Sequence, residues 1–122
     1  MTTEDCIFCK IIQGKIPAAR IFENDDFLCI KDIQPQAKVH LLIFPKQHVE
    51  SLVGAYLSDW TSERKLHLGA LLEVATQIAN SQGLVPNGFR VVINNGHHGG
   101  QTVAHLHLHL LGGEVLRGGF GS

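Results

Sequence analysis

The sequence predicts an α+β fold, with antiparallel strands packed against one long helix. Two apolar runs flank Asn24-Asp25-Asp26, the signal of a β-hairpin over 19–32. Apolar residues recur with helical period from about Asp59 to Gln82. The run His105-Leu106-His107-Leu108-His109-Leu110-Leu111 alternates strictly, as a strand with one polar and one apolar face does.

The elements follow in chain order. Cys6 to Gln13 reads as a short helix closed by Gly14. Ala19 to Glu23 is a strand, and Phe27 to Asp32 is its return. Pro35 breaks the chain before a third strand, His40 to Phe44. Val49 to Tyr56 is ambiguous. The long helix has Ser58 to cap its start and Gly83 its end. Its core stripe is Leu68, Leu71, Leu72, Ala75, Ile78 and Ala79. Leu66, Ala70 and Val74 widen the stripe towards a second contact such as a subunit, and His67 faces solvent. Phe89 to Asn94 and His105 to Leu111 complete the strands.

A chain of 122 residues suits one domain over 1–122. The formal charge is −1 with no basic run, so no nucleic-acid groove is expected, while single nucleotides remain acceptable ligands. The apolar stretches are too short for a bilayer, and the polar N-terminus lacks a signal-peptide pattern. A cytoplasmic protein without a membrane partner is expected. The Gly-rich end, Arg117 to Ser122, is a tail or a segment lying over a partner subunit. Three cysteines argue against a disulfide framework. Cys29, inside an apolar run, is a core thiol. Cys6 and Cys9 form a Cys-x-x-Cys pair, which suits a zinc knuckle, a redox couple or two half-buried thiols. The βαβ context of a redox motif is lacking. Zinc needs two further ligands, for which His48 and His105 are the candidates.

On a strand, His105, His107 and His109 share a face, roughly 7 Å apart. Such imidazoles bind phosphate or metal, or supply a nucleophile and proton donors near neutral pH. Just upstream lies Asn94-Asn95-Gly96-His97-His98-Gly99-Gly100-Gln101-Thr102. Gly99-Gly100 alone signals a turn. Directly before the three histidines, its glycines allow backbone N–H groups close to an anion, and Gln101 and Thr102 add polar donors.

The segment from Gly100 to Leu111 resembles the signature of the histidine-triad (HIT) superfamily, His-x-His-x-His-x-x with x apolar. Ile7-Phe8, Lys10-Ile11-Ile12, Ile16-Pro17-Ala18, Asp32-Ile33-Gln34-Pro35-Gln36-Ala37 and Ile43-Phe44-Pro45-Lys46 resemble its Hint branch, the purine nucleoside phosphoramidases. The resemblance implies a five-stranded antiparallel sheet and a homodimer that joins two sheets into ten strands. It implies that His107 is the nucleophile, attacking the α-phosphorus of an AMP- or GMP-type nucleotide to form a covalent nucleotidyl-histidine. A backbone carbonyl of the triad strand is the expected acceptor for its other nitrogen. His109 then donates to phosphate oxygens, Gln101 and Thr102 contact the phosphate or leaving group, and His40 supports the cluster. Thr102 stands where the branch usually has serine. Asp32 matches the ribose-binding acid, Asn94 a residue near ribose and phosphate, and Ile7, Phe8, Ile11, Ile30 and Ile33 the walls around the purine. Lys31 replaces a histidine of some relatives, so base preference is open, and His97 and His98 read as exposed loop residues. Zinc-containing bacterial relatives imply a structural zinc on Cys6, Cys9, His48 and His105, with no organic cofactor. The implied function is hydrolysis of purine nucleoside 5′-phosphoramidates or aminoacyl-adenylates. The alternatives are a Fhit-like dinucleoside polyphosphate hydrolase and a nucleotide-binding regulatory protein with incidental activity.

Overall fold

Asn24 turns the chain through its first hairpin, its side-chain oxygen accepting from the backbone N–H of Asp26 at 2.9 Å and of Phe27 at 2.7 Å. The structure, a computed structural model, describes residues 3–56 and 68–118. After a 3₁₀ turn at Thr3–Asp5 come α1 (Ile7–Ile12), β1 (Arg20–Glu23), β2 (Phe27–Lys31) and β3 (Val39–Pro45). Then follow α2 (Leu52–Tyr56), α3 (Leu68–Ser81), β4 (Phe89–Val92) and β5 (Leu108–Gly112). The strands form one five-stranded antiparallel sheet in the order β1-β2-β3-β5-β4.

The sheet is covered on both faces. Helix α3 packs Leu71, Ala75 and Ile78 against Cys29, Ile43, Leu106, Leu108 and Leu110 on one side. Helix α1 packs Phe8 and Ile11 against Leu28, Ile30, Leu42 and Phe44 on the other. Double coverage explains why Phe27 to Ile30 is a continuous buried run rather than an alternating one. Cys29 is a core thiol, and burial pushes it up to about 12, far from a reactive thiolate. Among the described residues, no helix is long and apolar enough to cross a membrane.

Several boundaries differ from the sequence expectation. The ambiguous 49–56 stretch resolves into α2. The expected start of the long helix, with Ser58, Leu66 and His67, lies outside the described residues. Its end is as expected: Gly83 has φ 76° and Leu84 N–H donates to Ala79 O at 2.9 Å. Leu72 is not in the core stripe; it is 47% exposed, and Val74 takes the buried place. Val74 stands three residues after Leu71 and four before Ile78, which puts it on their face.

The main correction concerns the triad. The β3–β5 ladder runs from Val39↔Gly112 to Ile43↔Leu108, so His105 and His107 precede strand β5. Continuing the register would set Leu106 against Pro45. The Pro45 carbonyl instead lies 2.8 Å from the ring Nε2 of His105, and Leu106 N–H turns to Val49 O at 2.7 Å. Proline has no N–H to continue the ladder. The face alternation persists: Leu106, Leu108 and Leu110 face α3, while His107 packs against Phe8 of α1.

Candidate active site and metal cluster

His107 is 4% exposed, and its Nδ1 lies 2.7 Å from the backbone oxygen of His105. A carbonyl only accepts, so Nδ1 carries the ring hydrogen and Nε2 keeps a free lone pair. Phe8 meets the ring edge-on at 5.2 Å and His109 at 5.0 Å. Burial lowers its proton affinity below the ordinary imidazole range, against the opposing pull of the His105 carbonyl and Asp32. That burial favours the uncharged form of the His107 imidazole.

A second hydrogen-bond chain settles His109. The backbone N–H of Gln36 donates to His40 Nδ1 at 3.0 Å, so the His40 ring hydrogen sits on Nε2. That nitrogen is 2.9 Å from His109 Nδ1 and 3.3 Å from Asp32 Oδ2. With His40 donating, His109 Nδ1 accepts and its own hydrogen sits on Nε2. His109 thus offers an N–H donor from the ring edge opposite His40. Asp32 has two roles, since Oδ1 also accepts from Gln34 N–H at 2.8 Å in a turn.

Burial, then the neighbouring His107 and His40, lowers His109 from 6.5 to about 4, with Asp32 opposing. The unfolded chain therefore takes up this proton first. Between pH 6.5 and about 4 it binds more protons than the folded chain, so stability should fall as pH falls through that window. His105, also lowered to about 4 by burial, acts with the same sign. Thermal unfolding should show a lower midpoint at about pH 4.5 than at about pH 7. His109→Gln should flatten that dependence; an unchanged slope in the variant would assign it to other groups.

These groups line a cavity of about 470 Å³, within the size range of small-ligand pockets. Its apolar wall comes from Ile7, Phe8 and Ile11 of α1 with Ile30 and Ile33. Its polar side is His107, His109, His40, Asp32 and Thr102. Ile33 is 94% exposed, an apolar side chain held at the rim rather than in the core. The structure therefore brings together most of the residues singled out from the sequence.

Gln101 and Asn94 are not among the lining residues. The Gln101 carboxamide holds the loop: Oε1 accepts from Gly96 N–H at 2.8 Å, and Nε2 donates to Glu50 O at 2.6 Å and Val103 O at 3.0 Å. Asn94 Nδ2 donates to Gly99 O at 2.7 Å. Both side chains shape the glycine-rich turn that leads into Thr102. His97 and His98 are exposed there, as expected. Leu42 and Val103 also line the cavity. Leu42 was detectable, being two residues after His40 on one strand face; Pro17 and Ala18, which also line the cavity, were marked in the sequence only as part of the family resemblance.

Behind the cavity lies a second cluster. The donor atoms of Cys6, Cys9, His48 and His105 all fall within 4.8 Å of one another. Cys6 is the N-cap of α1, its sulfur accepting from Cys9 N–H at 3.4 Å, and this turn brings both thiols to one point. His105 Nδ1 lies 3.2 Å from Cys6 Sγ, 3.6 Å from Cys9 Sγ and 3.2 Å from His48 Nδ1. Since His105 Nε2 donates to Pro45 O at 2.8 Å, its Nδ1 is a bare lone pair aimed into the cluster. His48 Nε2 is buried with no partner among the described residues. Burial and the Cys6 thiol beside it push Cys9 up to about 11. This donor set fits a metal ion.

Known proteins resemble this chain in sequence and in fold. The family described as "Scavenger mRNA decapping enzyme C-term binding" matches residues 5–119. The chain is 38% identical over 113 residues to the purine nucleoside phosphoramidase of Escherichia coli K12, covering 93% of this chain and 91% of that protein. It superposes on the crystal structure of a HIT family hydrolase from Legionella pneumophila with TM-score 0.82 and 44% identity, covering 93% and 96% of the two chains. A Zn-bound histidine triad family protein from Mycobacterium smegmatis matches with TM-score 0.74 and 33% identity, covering 91% of this chain and 76% of that one. By fold, by the histidines that meet in its cavity and by these likenesses, the chain belongs to the histidine-triad (HIT) superfamily.

Proposed function

We propose that this chain is a nucleotide hydrolase that cleaves purine nucleoside 5′-phosphoramidates or aminoacyl-adenylates to the nucleoside monophosphate. The observation that carries this reading is the 2.7 Å contact from His107 Nδ1 to the His105 carbonyl, which leaves Nε2 as a nucleophile in the cavity wall. Nε2 attacks the α-phosphorus, a P–N bond to His107 forms, and the bond to the amine or acyl leaving group breaks. The Thr102 hydroxyl supports protonation of a departing amine. Water then attacks the phosphorus, the P–N bond to His107 breaks, and the monophosphate leaves. The Nε2–H of His109 stabilises the phosphoryl oxygens in both steps.

The apolar wall suits a purine, and the Asp32 carboxylate suits ribose hydroxyls. An adenosine phosphoramidate assayed beside diadenosine triphosphate tests the substrate class. Preference for the phosphoramidate by about tenfold or more in kcat/KM is expected; the opposite preference would transfer the reading to dinucleoside polyphosphates.

The metal fits zinc. A tetrahedral site with bonds of about 2.3 Å to sulfur and 2.0–2.1 Å to nitrogen has edges of about 3.3–3.8 Å between ligand atoms. The observed sulfur–nitrogen separations of 3.3 and 3.6 Å lie in that range and the third, 3.2 Å, lies just below it, which supports that assignment. Four protein ligands leave no open position, so the ion's role is structural, while catalysis belongs to the neighbouring histidines. The reading further includes a homodimer joined along the β4 edge, supported by β4 having β5 as its sheet neighbour and by Leu72 and Val85, each 47% exposed. Sedimentation should give a mass near twice the 13.4 kDa of one chain; a monomer at micromolar concentration would remove the dimer. The three free cysteines suit the reducing cytoplasm.

A further inference from the structure

We propose that the Cys6/Cys9/His48/His105 cluster, when it holds its metal, sets the ring proton of His107 through the His105–Leu106 peptide unit. This rests on the readings of His107 as nucleophile and of the cluster as a metal site. It makes the cluster ligands positioning residues for the reaction and not solely supports of the fold.

The geometry supporting it lies just ahead of strand β5. The sheet ladder ends at Ile43↔Leu108, so it does not hold the His105 carbonyl that accepts the His107 Nδ1–H. That carbonyl belongs to the same rigid peptide plane as Leu106 N–H. The plane has two visible anchors. Leu106 N–H donates to Val49 O at 2.7 Å, and Val49 directly follows the ligand His48. At the other end, the His105 ring is fully buried, with Nε2 on Pro45 O at 2.8 Å and Nδ1 in the cluster. Both anchors therefore attach to ligands of one site. Metal bound there cross-links the 48–49 strip to His105 and locks the plane between them.

If the metal is removed, the Nδ1 atoms of His48 and His105, 3.2 Å apart, can share only a single hydrogen bond in place of a common ion. Loosening of His48 or His105 lets the peptide plane rotate. The His107 Nδ1–H then loses its acceptor, and the ring hydrogen divides between its two nitrogens. Each molecule with the hydrogen on Nε2 has no lone pair for attack. A misplaced proton on a catalytic imidazole costs up to about 10⁴-fold in other enzymes.

The test compares the whole chain loaded with Zn²⁺, the same chain after chelation, and the Cys6→Ser/Cys9→Ser variant. Serine is a favoured N-cap, so the variant keeps the start of α1. Long-range ¹H–¹⁵N spectra read the His107 tautomer directly at neutral pH. The loaded chain should show Nδ1–H alone. Both metal-free forms should show two tautomers, with kcat lower by about tenfold or more, and adding Zn²⁺ back to the chelated chain should restore the single tautomer. A folded metal-free chain that keeps Nδ1–H alone overturns the proposal. Unfolding of both metal-free forms also overturns it, because the cluster then acts on the fold as a whole. A tautomer that follows metal in a loaded chain lacking turnover would sink the proposed activity and leave this inference standing. Turnover with an unresponsive tautomer would do the reverse.

Discussion

Replacing His107 with alanine should abolish turnover while leaving AMP binding within a few-fold of the parent. The expected loss in kcat is about 10³-fold or more, the scale seen when a nucleophile that acts as a unit with its neighbours is deleted. The affinity should survive because the apolar wall of Ile7, Phe8 and Ile11, and the Asp32 carboxylate, remain in the cavity when the imidazole is removed. Rapid quenching with a labelled adenosine phosphoramidate should trap adenylate on the parent chain and none on the variant. Stopped-flow kinetics and calorimetry with AMP measure the two halves separately. Full activity in the variant, or a trapped nucleotide on another residue, would end the assignment. A variant that instead lost AMP binding would place His107 in substrate recognition.

Removal of the metal should have the largest effect on stability. The protein as isolated should contain about one zinc per chain, as a closed four-ligand site does. Cys6→Ser/Cys9→Ser should lose that metal, and its thermal midpoint should fall by about 10 °C or more, since losing a structural metal removes several kcal/mol of binding energy from the folded state. The direction follows from linkage: the four donors converge only in the folded chain, so the ion binds it in preference to the unfolded one. The ligands come from α1, the segment after β3 and the segment before β5, so their loss frees three parts of the chain at once. A metal-free wild type with an unchanged melting curve after chelation would refute the structural role.

Much of this was legible before the structure. The Asn24 hairpin, the Gly83 helix stop and the alternation of Leu106, Leu108 and Leu110 all depend on local chemistry, which each residue carries with it. Cys6 and Cys9 announce themselves by spacing, and the histidines by composition and period. Errors arose where a partner far along the chain intervened. The triad strand was expected from His105, but the register would bring Leu106 against Pro45, which has no N–H to give, and the ladder starts at Leu108. Gln101 was expected to contact the phosphate or leaving group; its carboxamide is bonded to Gly96, Val103 and the distant Glu50, a tie that sequence spacing does not announce. Leu72 was expected in the core, but the face of α3 turned to the sheet is centred nearer Val74.

By itself, the sequence determined which groups are available: imidazoles at 40, 48, 105, 107 and 109, thiols at 6 and 9, and an alternating strand to present them. Only the tertiary structure decided which nitrogen of each ring is bare. That choice lies with the carbonyls of His105 and Pro45 and the N–H of Gln36. Main-chain groups are nearly the same in every residue, so a sequence carries no mark of which one will face a given side chain. Their direction is a property of the folded backbone, and here it leaves chemically identical side chains with different bare nitrogens: Nε2 on His107, Nδ1 on His105.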